Sequence, residues 1–143
     1  MSNLEITQSD LELIQHAKNI IQQRYRADYH HVGAAIRSKN GQIITGVHVE
    51  ANVGRVTVCG EAIAIGRAIT EGVADLDTIV AVRRDDNNPD IFYVVSHCGL
   101  CREMINDYMP NGFCIYVENG ILKKVSAIEL LPGKYSREAR VIA

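Results

Sequence analysis

Two short cysteine-containing segments carry the residues best suited to chemistry. Residues 59–61 read Cys-Gly-Glu, and residues 98–101 read Cys-Gly-Leu-Cys. Each segment lies where a strand or loop is predicted to lead into a helix, and the free N–H groups and positive dipole of a helix start favour thiolates. Three thiolates, from Cys59, Cys98 and Cys101, could therefore bind one zinc ion and leave its fourth tetrahedral position to water. Glu61 lies two residues beyond Cys59, so it could approach that water without binding the metal.

Two other uses of these cysteines stay open at the level of sequence. A closed four-cysteine zinc site would take Cys114 as its fourth ligand, although Cys114 lies in an apolar run at residues 113–117 and is more typical of a small core residue. Alternatively, Cys98 and Cys101 could form a redox pair. Such a pair gives no role to Cys59 or Glu61.

The elements that position these segments are predicted from apolar periodicity and turn residues. A first amphipathic helix is expected over residues 9–25, started by a capping box at either Ser9–Glu12 or Thr7–Asp10. Its buried face is predicted to hold the apolar residues spaced by three or four, namely Leu11, Ile14, Ala17, Ile21 and Tyr25. Two further helices are expected, one from about residue 58 to Gly72 and one over residues 101–108.

Strands are predicted over residues 32–36, 43–47, 78–82, 113–117 and 121–125, while residues 91–95 lead into Cys98. Asn40-Gly41 predicts a hairpin with a type I′ turn between the first two strands, and Asn119-Gly120 predicts a second hairpin, which makes the last two strands antiparallel neighbours. Strands alternating with helices favour a single three-layer α/β domain over residues 1–143, with one mixed sheet.

Composition narrows the class of protein. The chain has 143 residues, of which 47% are apolar and 22% charged, as in a globular protein rather than a disordered one. Its net charge of −2 gives no basic surface for a nucleic-acid backbone. The sequence has no apolar run long enough for a membrane span and no signal-peptide pattern at its start. We therefore expect a cytoplasmic protein whose thiols stay reduced.

The two metal segments match the zinc deaminase signature, in which Cys-x-Glu is followed by Cys-x-x-Cys. The chain resembles the cytidine deaminase family, including its blasticidin S deaminase branch, and the likeness covers most of its length. Residues 31–35 resemble the early strand of the family, residues 46–50 its ribose-contact strand, residues 96–102 its second metal segment and residues 129–132 its C-terminal stretch. The resemblance implies a three-layer α/β/α fold with a five-stranded mixed sheet.

The chain departs from ordinary cytidine deaminases at several positions. The ribose strand, Asn-Val-Glu in the family, starts here with His48 and keeps Glu50. His30 falls where the family has a phenylalanine near the pyrimidine. Ala62 replaces the arginine after the catalytic glutamate, and residues 61–66 look more like the blasticidin branch. His97 replaces a proline, and we predict no catalytic role for it.

The resemblance implies a zinc-dependent hydrolytic deaminase that converts cytidine-like or deoxycytidine-like nucleosides to the uridine form and releases ammonia. It implies zinc ligation by Cys59, Cys98 and Cys101. Glu61 is then the catalytic residue, which takes a proton from water and protonates ring N3, and the proton relay ends on the departing amine. Because three thiolates leave zinc with excess negative charge, a nearby cation is expected to help, and Arg102 is the candidate.

The resemblance also implies the substrate contacts His48, Glu50, Gly60 and His30. His48 and Glu50 are two residues apart, so on a strand they share one face. Gly60 either presents its N–H to the substrate carbonyl or only permits tight packing. His30 and His31 are adjacent and face opposite ways on a strand, and His30 is the one expected to line the pocket.

A homotetramer is expected, because residues 130–135 resemble the C-terminal stretch that reaches a partner's site in the family. Two rival functions stay open, namely deamination of the nucleoside antibiotic blasticidin S and a non-catalytic zinc-stabilised binding protein. A polynucleotide deaminase is disfavoured. Relatives of that kind run their last two strands parallel, and parallel strands need a long crossover that residues 118–120 cannot supply.

Overall fold

The computed structural model describes residues 3–142. Three helices and six strands follow one another in the order α1 (Gln8–Arg24), β1 (Val32–Ser38), β2 (Ile43–Val47), α2 (Gly60–Thr70), β3 (Leu76–Arg84), β4 (Phe92–Val95), α3 (Gly99–Tyr108), β5 (Phe113–Glu118) and β6 (Ile121–Ser126). Short 3₁₀ turns cover Gly54–Val56 and Ala127–Leu130. None of the described helices has both the length and the apolar composition that a membrane crossing requires.

The strands form one mixed sheet with the order β2-β1-β3-β5-β6. β1 pairs antiparallel with β2 and β3, while β5 runs parallel to β3 and antiparallel to β6. The mixed sheet and its antiparallel last pair confirm the predicted fold class.

The sheet has six strands rather than the five that the resemblance implied. β5 pairs with β3 only at Thr78 and Ile79, near the start of β3. The second half of the same β3 edge is therefore open, and β4 pairs with it antiparallel from Ala81 to Arg84. This added strand directs the chain from Val95 into the second cysteine segment.

Two apolar clusters lie on opposite faces of the sheet and make the fold three-layered. Alternate residues of β1 and β3 separate them: Ala34 and Ile79 face the cluster that contains α2 and α3, whereas Ala35 and Val80 face the cluster that contains α1. The two faces follow from the period-two alternation of side chains in a strand. The site described below lies on the α2–α3 face.

The buried face of α1 differs from the prediction. The capping box is Thr7–Asp10, and Leu13 is fully buried whereas Leu11 is about half exposed. Asp10 is itself buried, because its carboxylate accepts hydrogen bonds from Arg37 and Lys124 at 2.9 Å each. Because two cations pair with this carboxylate, it can be buried. The buried face of α1 therefore includes Asp10 and Leu13 instead of Leu11.

The two predicted hairpins also differ from each other. Asn119 and Gly120 both have positive φ, as a type I′ turn requires, and they join β5 to β6 directly. Between β1 and β2 only Gly41 has positive φ. The first connection is therefore a four-residue loop over residues 39–42 and not a type I′ turn.

Candidate active site

Three cysteine sulfurs converge at the starts of α2 and α3. Cys59 is the N-cap of α2, Cys98 is the N-cap of α3, and Cys101 lies in the first turn of α3. The Sγ atoms of Cys59 and Cys98 are 3.7 Å apart, and all three sulfurs lie within 4.8 Å of one another. Two sulfurs on a tetrahedral zinc with bonds of about 2.3 Å are separated by about 3.8 Å. The spacing therefore fits zinc.

To bind a metal, these thiols must lose their protons. Burial raises the pKa of the Cys59 and Cys101 thiols. Cys98 is exposed; its partial desolvation alone would raise the pKa of its thiol, but its sulfur accepts the Cys101 N–H at 3.5 Å, and the pKa is lowered. Three thiolates side by side in this setting need a bound positive charge, which zinc supplies. Cys114 lies outside the group and is buried in β5, as a core residue.

Glu61 follows in the first turn of α2 and is almost fully buried beside the sulfurs. Its Oε2 atom is 2.8 Å from Nδ1 of His97, whose side chain is completely buried. Burial alone would raise the pKa of Glu61, but His97 outweighs this effect and lowers it. The carboxylate is therefore ionised and held in one orientation, as a proton acceptor must be.

The sequence predicts no catalytic role for His97, yet this residue holds the Glu61 carboxylate. Burial alone would lower the pKa of His97, but the nearby Cys114 sulfur and the Glu61 carboxylate raise it to about 10. Since Nε2 of His97 has no hydrogen-bond partner among the described residues, we attribute this rise chiefly to Glu61. A histidine in the place of a proline was the available signal, but its partner lies 36 residues away.

Two glycines let α2 lie directly on the sheet and so position Cys59 and Glu61. A Cβ added to Gly46 would be 2.4 Å from the backbone nitrogen of Ala64 in α2. A Cβ added to Gly60 would be 3.3 Å from the carbonyl oxygen of Val32. The tight-packing role considered for Gly60 is therefore visible in the structure.

A second polar cluster lies just after β2. His48 Nε2 is 3.0 Å from Glu50 Oε2, so these two residues share a side as expected. His31, rather than His30, joins them, with its Nε2 atom 3.7 Å from the same oxygen. His30 instead places Nδ1 2.9 Å from the His48 carbonyl oxygen and lines a different hollow, which is bordered by α1, β2 and α2.

Arg102 is partly buried and links the start of α3 to the 3₁₀ turn Ala127–Leu130 by hydrogen bonds. Its Nε atom donates to the His97 carbonyl oxygen at 2.8 Å and Nη1 donates to the Leu130 carbonyl oxygen at 3.2 Å. These bonds fix the residue that precedes Cys98 against the 3₁₀ turn after β6. Through them Arg102 brings a positive charge to the second metal segment, while its hydrogen bonds go to backbone oxygens and not to sulfur.

Two of the three cysteines, Cys59 and Cys98, border a cavity of about 190 Å³ together with Glu61 and His48. Its lining residues are Val32, His48, Cys59, Gly60, Glu61, Val95, Ser96 and Cys98. Drug-sized ligands usually occupy pockets of about 300–1,000 Å³. This cavity has room for a small ring beside a metal and an acid, and a larger ligand must extend beyond it toward Glu50.

Comparisons with known proteins agree with this chemistry. Residues 7–116 match the family described as cytidine and deoxycytidylate deaminase zinc-binding region. The chain is 52% identical to "Blasticidin-S deaminase" of Bacillus cereus over 96% of this chain and 99% of that protein. It is 33% identical to "Cytidine deaminase" of Halalkalibacterium halodurans over 75% of this chain and 78% of that protein.

Solved structures show the same architecture. The cytidine deaminase from Bacillus anthracis superposes with a TM-score of 0.69 at 26% identity, over 87% of this chain and 88% of that chain. The cytidine deaminase from Burkholderia pseudomallei gives a TM-score of 0.72 at 24% identity, over 87% of this chain and 98% of that chain. The similarity to the Burkholderia pseudomallei structure supports the assignment of the fold.

Proposed function

Because the chain belongs to the cytidine and deoxycytidylate deaminase family, we propose that it removes the 4-amino group of a cytosine nucleoside by hydrolysis and releases ammonia. The observation that carries this function is a buried carboxylate, Glu61, on the same cavity as Cys59 and Cys98 of the three-cysteine cluster. A purely structural zinc site has no use for an acid held beside it. The arrangement therefore favours an enzyme over a non-catalytic zinc-stabilised protein.

Zinc held by Cys59, Cys98 and Cys101 would acidify a water molecule and so supply the nucleophile near neutral pH. The proton transfers fall to Glu61. His97 holds the Oε2 atom, so Oε1 is the oxygen that we assign to proton transfer. Oε1 takes one proton from the water and gives it to ring N3, then takes the second proton of the same oxygen and gives it to the amine. The C4–N bond breaks, ammonia leaves, and the water oxygen becomes the C4 carbonyl oxygen.

The substrate contacts follow from the residues that border the cavity. We assign the ring carbonyl to the Gly60 N–H, because Gly60 opens α2 and a helix start leaves its N–H groups unpaired. His48 lines the cavity, so we assign it to a sugar hydroxyl. Glu50 lies on the same side and is the second sugar contact. His30, which faces another hollow, is the weakest of the candidate contacts.

A substrate panel tests the proposal. Zinc-loaded protein is assayed for ammonia release from cytidine, deoxycytidine, cytosine and blasticidin S. We expect turnover of at least one cytosine nucleoside. Free cytosine should be a much poorer substrate, because it lacks the sugar that His48 and Glu50 are proposed to bind. Absence of ammonia from every compound would overturn the proposed function.

Blasticidin S is the second candidate substrate, on two specific observations. Identity to the Bacillus cereus protein is 52% over nearly the whole of both chains, against 32% for the cytidine deaminase of Sporosarcina psychrophila over 75% of this chain. Ala62 stands where ordinary cytidine deaminases have arginine, and residues 61–66, which include it, resemble the blasticidin S deaminase branch of the family. A kcat/KM for blasticidin S above that for cytidine would assign the chain to that activity.

We also propose a cytoplasmic homotetramer in which neighbouring subunits complete the pocket. The cavity of one chain, about 190 Å³, is smaller than the pockets of about 300–1,000 Å³ that usually hold drug-sized ligands. Apolar side chains near the cysteines are exposed, with 62% of Val53, 62% of Val56 and 75% of Leu100 accessible. Light scattering is expected to give about four times 15.8 kDa, and a mass near 15.8 kDa would refute assembly.

A further inference from the structure

The cluster of His31, His48 and Glu50 has the donor atoms of a second metal site. Both histidines present Nε2 to the same carboxylate oxygen, Oε2 of Glu50, at 3.7 and 3.0 Å. The three donor atoms lie within 4.8 Å of one another, as the three sulfurs of the first cluster do. Two nitrogen or oxygen ligands on a tetrahedral ion with bonds of about 2.0–2.1 Å are about 3.3 Å apart. The two measured distances bracket this value.

The surroundings hold the three donors in place. Thr57 Oγ1 donates to the other carboxylate oxygen, Oε1 of Glu50, at 3.2 Å and so turns Oε2 toward the histidines. A hydrogen bond that orients a ligating carboxylate is the usual support of a protein metal site. The His31 and His48 rings pack with centroids 4.3 Å apart, which limits their rotation.

The donors are also available to an ion. His31 and Glu50 are about one-third exposed, at 29% and 34% of their side chains, which leaves a path for an ion to enter. Neutral imidazoles with one carboxylate suit zinc and similar divalent transition metals.

From this geometry we propose that His31, His48 and Glu50 bind a second divalent transition-metal ion, distinct from the ion of the cysteine cluster. Two imidazoles and one carboxylate leave at least one coordination position open. His48 also lines the 190 Å³ cavity beside Cys59 and Glu61, so the proposed metal site borders that cavity. It therefore lies where the proposed function places the sugar.

Metal stoichiometry tests this proposal without any turnover. The protein is dialysed to equilibrium against micromolar free zinc, and zinc per chain is measured. We expect two ions per chain in wild type and one in both His31→Ala and Glu50→Gln. His16→Ala removes an exposed histidine of α1 and is expected to keep two. One ion per wild-type chain would overturn the proposal, as would two ions in both cluster variants.

Cobalt substitution identifies which site each ion occupies. Cobalt bound by thiolates gives an intense near-ultraviolet charge-transfer band, and cobalt bound by nitrogen and oxygen gives only weak visible bands. The first equivalent should therefore raise the charge-transfer band and the second should not. In Glu50→Gln only the first phase is expected. A charge-transfer band that grows through both equivalents would place both ions on sulfur and contradict the second site.

A kinetic consequence rests on the proposed function. An ion on Oε2 of Glu50 removes that oxygen from the sugar, so zinc beyond one equivalent is expected to raise KM for the nucleoside. In His31→Ala added zinc should leave KM unchanged. If no nucleoside is turned over at any zinc level, the proposed function fails, while the stoichiometry still decides the metal site.

Discussion

Removal of the His97 imidazole tests the buried pair that holds the proposed catalytic carboxylate. The side chains of His97 and Glu61 are 0% and 6% exposed, and their Nδ1–Oε2 distance is 2.8 Å. His97→Ala therefore leaves a carboxylate charge with almost no water around it. Breaking a buried pair by removing one partner costs about 3–5 kcal/mol in free energy of unfolding.

The same substitution should cost less when the charge is absent. In a Glu61→Gln background no ion is left unpaired, so His97→Ala is expected to cost about 1–3 kcal/mol, the cost of an unsatisfied neutral group. The difference predicts a coupling energy of about 2 kcal/mol between the two side chains. His97→Asn keeps a donor at the position of Nδ1 and is expected to lose less stability than His97→Ala.

The assay is urea unfolding of wild type, both single variants and the double variant at neutral pH and one fixed free-zinc concentration. The fixed zinc level matters because binding to the native state adds to apparent stability. If His97→Ala costs the same in both backgrounds within about 0.5 kcal/mol, the pair is not coupled. The orientation of Glu61 would then need another cause.

Three further predictions concern the metal, acid stability and packing. Cys98→Ser should lose the cysteine-bound zinc measured by atomic emission, whereas Cys114→Ser should keep it, and equal zinc loss would refute the assignment of ligands. The pKa of the Asp10 carboxyl, which burial alone would raise, is lowered from 3.8 to about 2 by hydrogen bonds from Thr7, Lys124 and Arg37. The stabilising effect of the Asp10 carboxylate is therefore complete above pH 3.8 and lost as the pH falls toward 2. In urea unfolding between these pH values, the free energy of unfolding of Asp10→Asn should fall less with decreasing pH than that of wild type. Gly46→Ala would place a Cβ 2.4 Å from a backbone nitrogen of α2 and should lower Tm, while Gly66→Ala, which meets open space, should not.

The cysteine cluster could be predicted because each cysteine lies in a short segment whose own residues indicate the start of a helix. Each cysteine segment starts a helix, and the helix start itself fixes where the side chain points. Glu61 comes with the same segment as Cys59. The antiparallel last hairpin was equally local, since Asn119 and Gly120 both adopt positive φ.

Features that depend on distant partners could not be predicted in the same way. The buried face of α1 was predicted wrongly because Asp10 is buried through its pairing with Arg37 and Lys124, which lie 27 and 114 residues along the chain. His31 was passed over for His30, because alternation alone does not say which of two neighbours faces the cavity. The role of His97 required contact with Glu61 across the α2–α3 face.

The sixth strand was missed for a related reason. A four-residue strand such as β4 has too short a pattern to distinguish it from a connecting segment. It forms because the edge of β3 beyond Ile79 is not covered by β5. That edge exists only once the sheet has assembled.

The most direct test of the account is ammonia release by Glu61→Gln, with metal content measured in the same preparations. Glutamine keeps the size and hydrogen bonding of the side chain but cannot accept and return a proton. We predict that the variant keeps its cysteine-bound zinc while kcat on the best nucleoside of the panel falls by about 100- to 10,000-fold, as expected for loss of a general acid–base. A Glu61→Gln protein that binds zinc and deaminates at the wild-type rate would contradict the central claim.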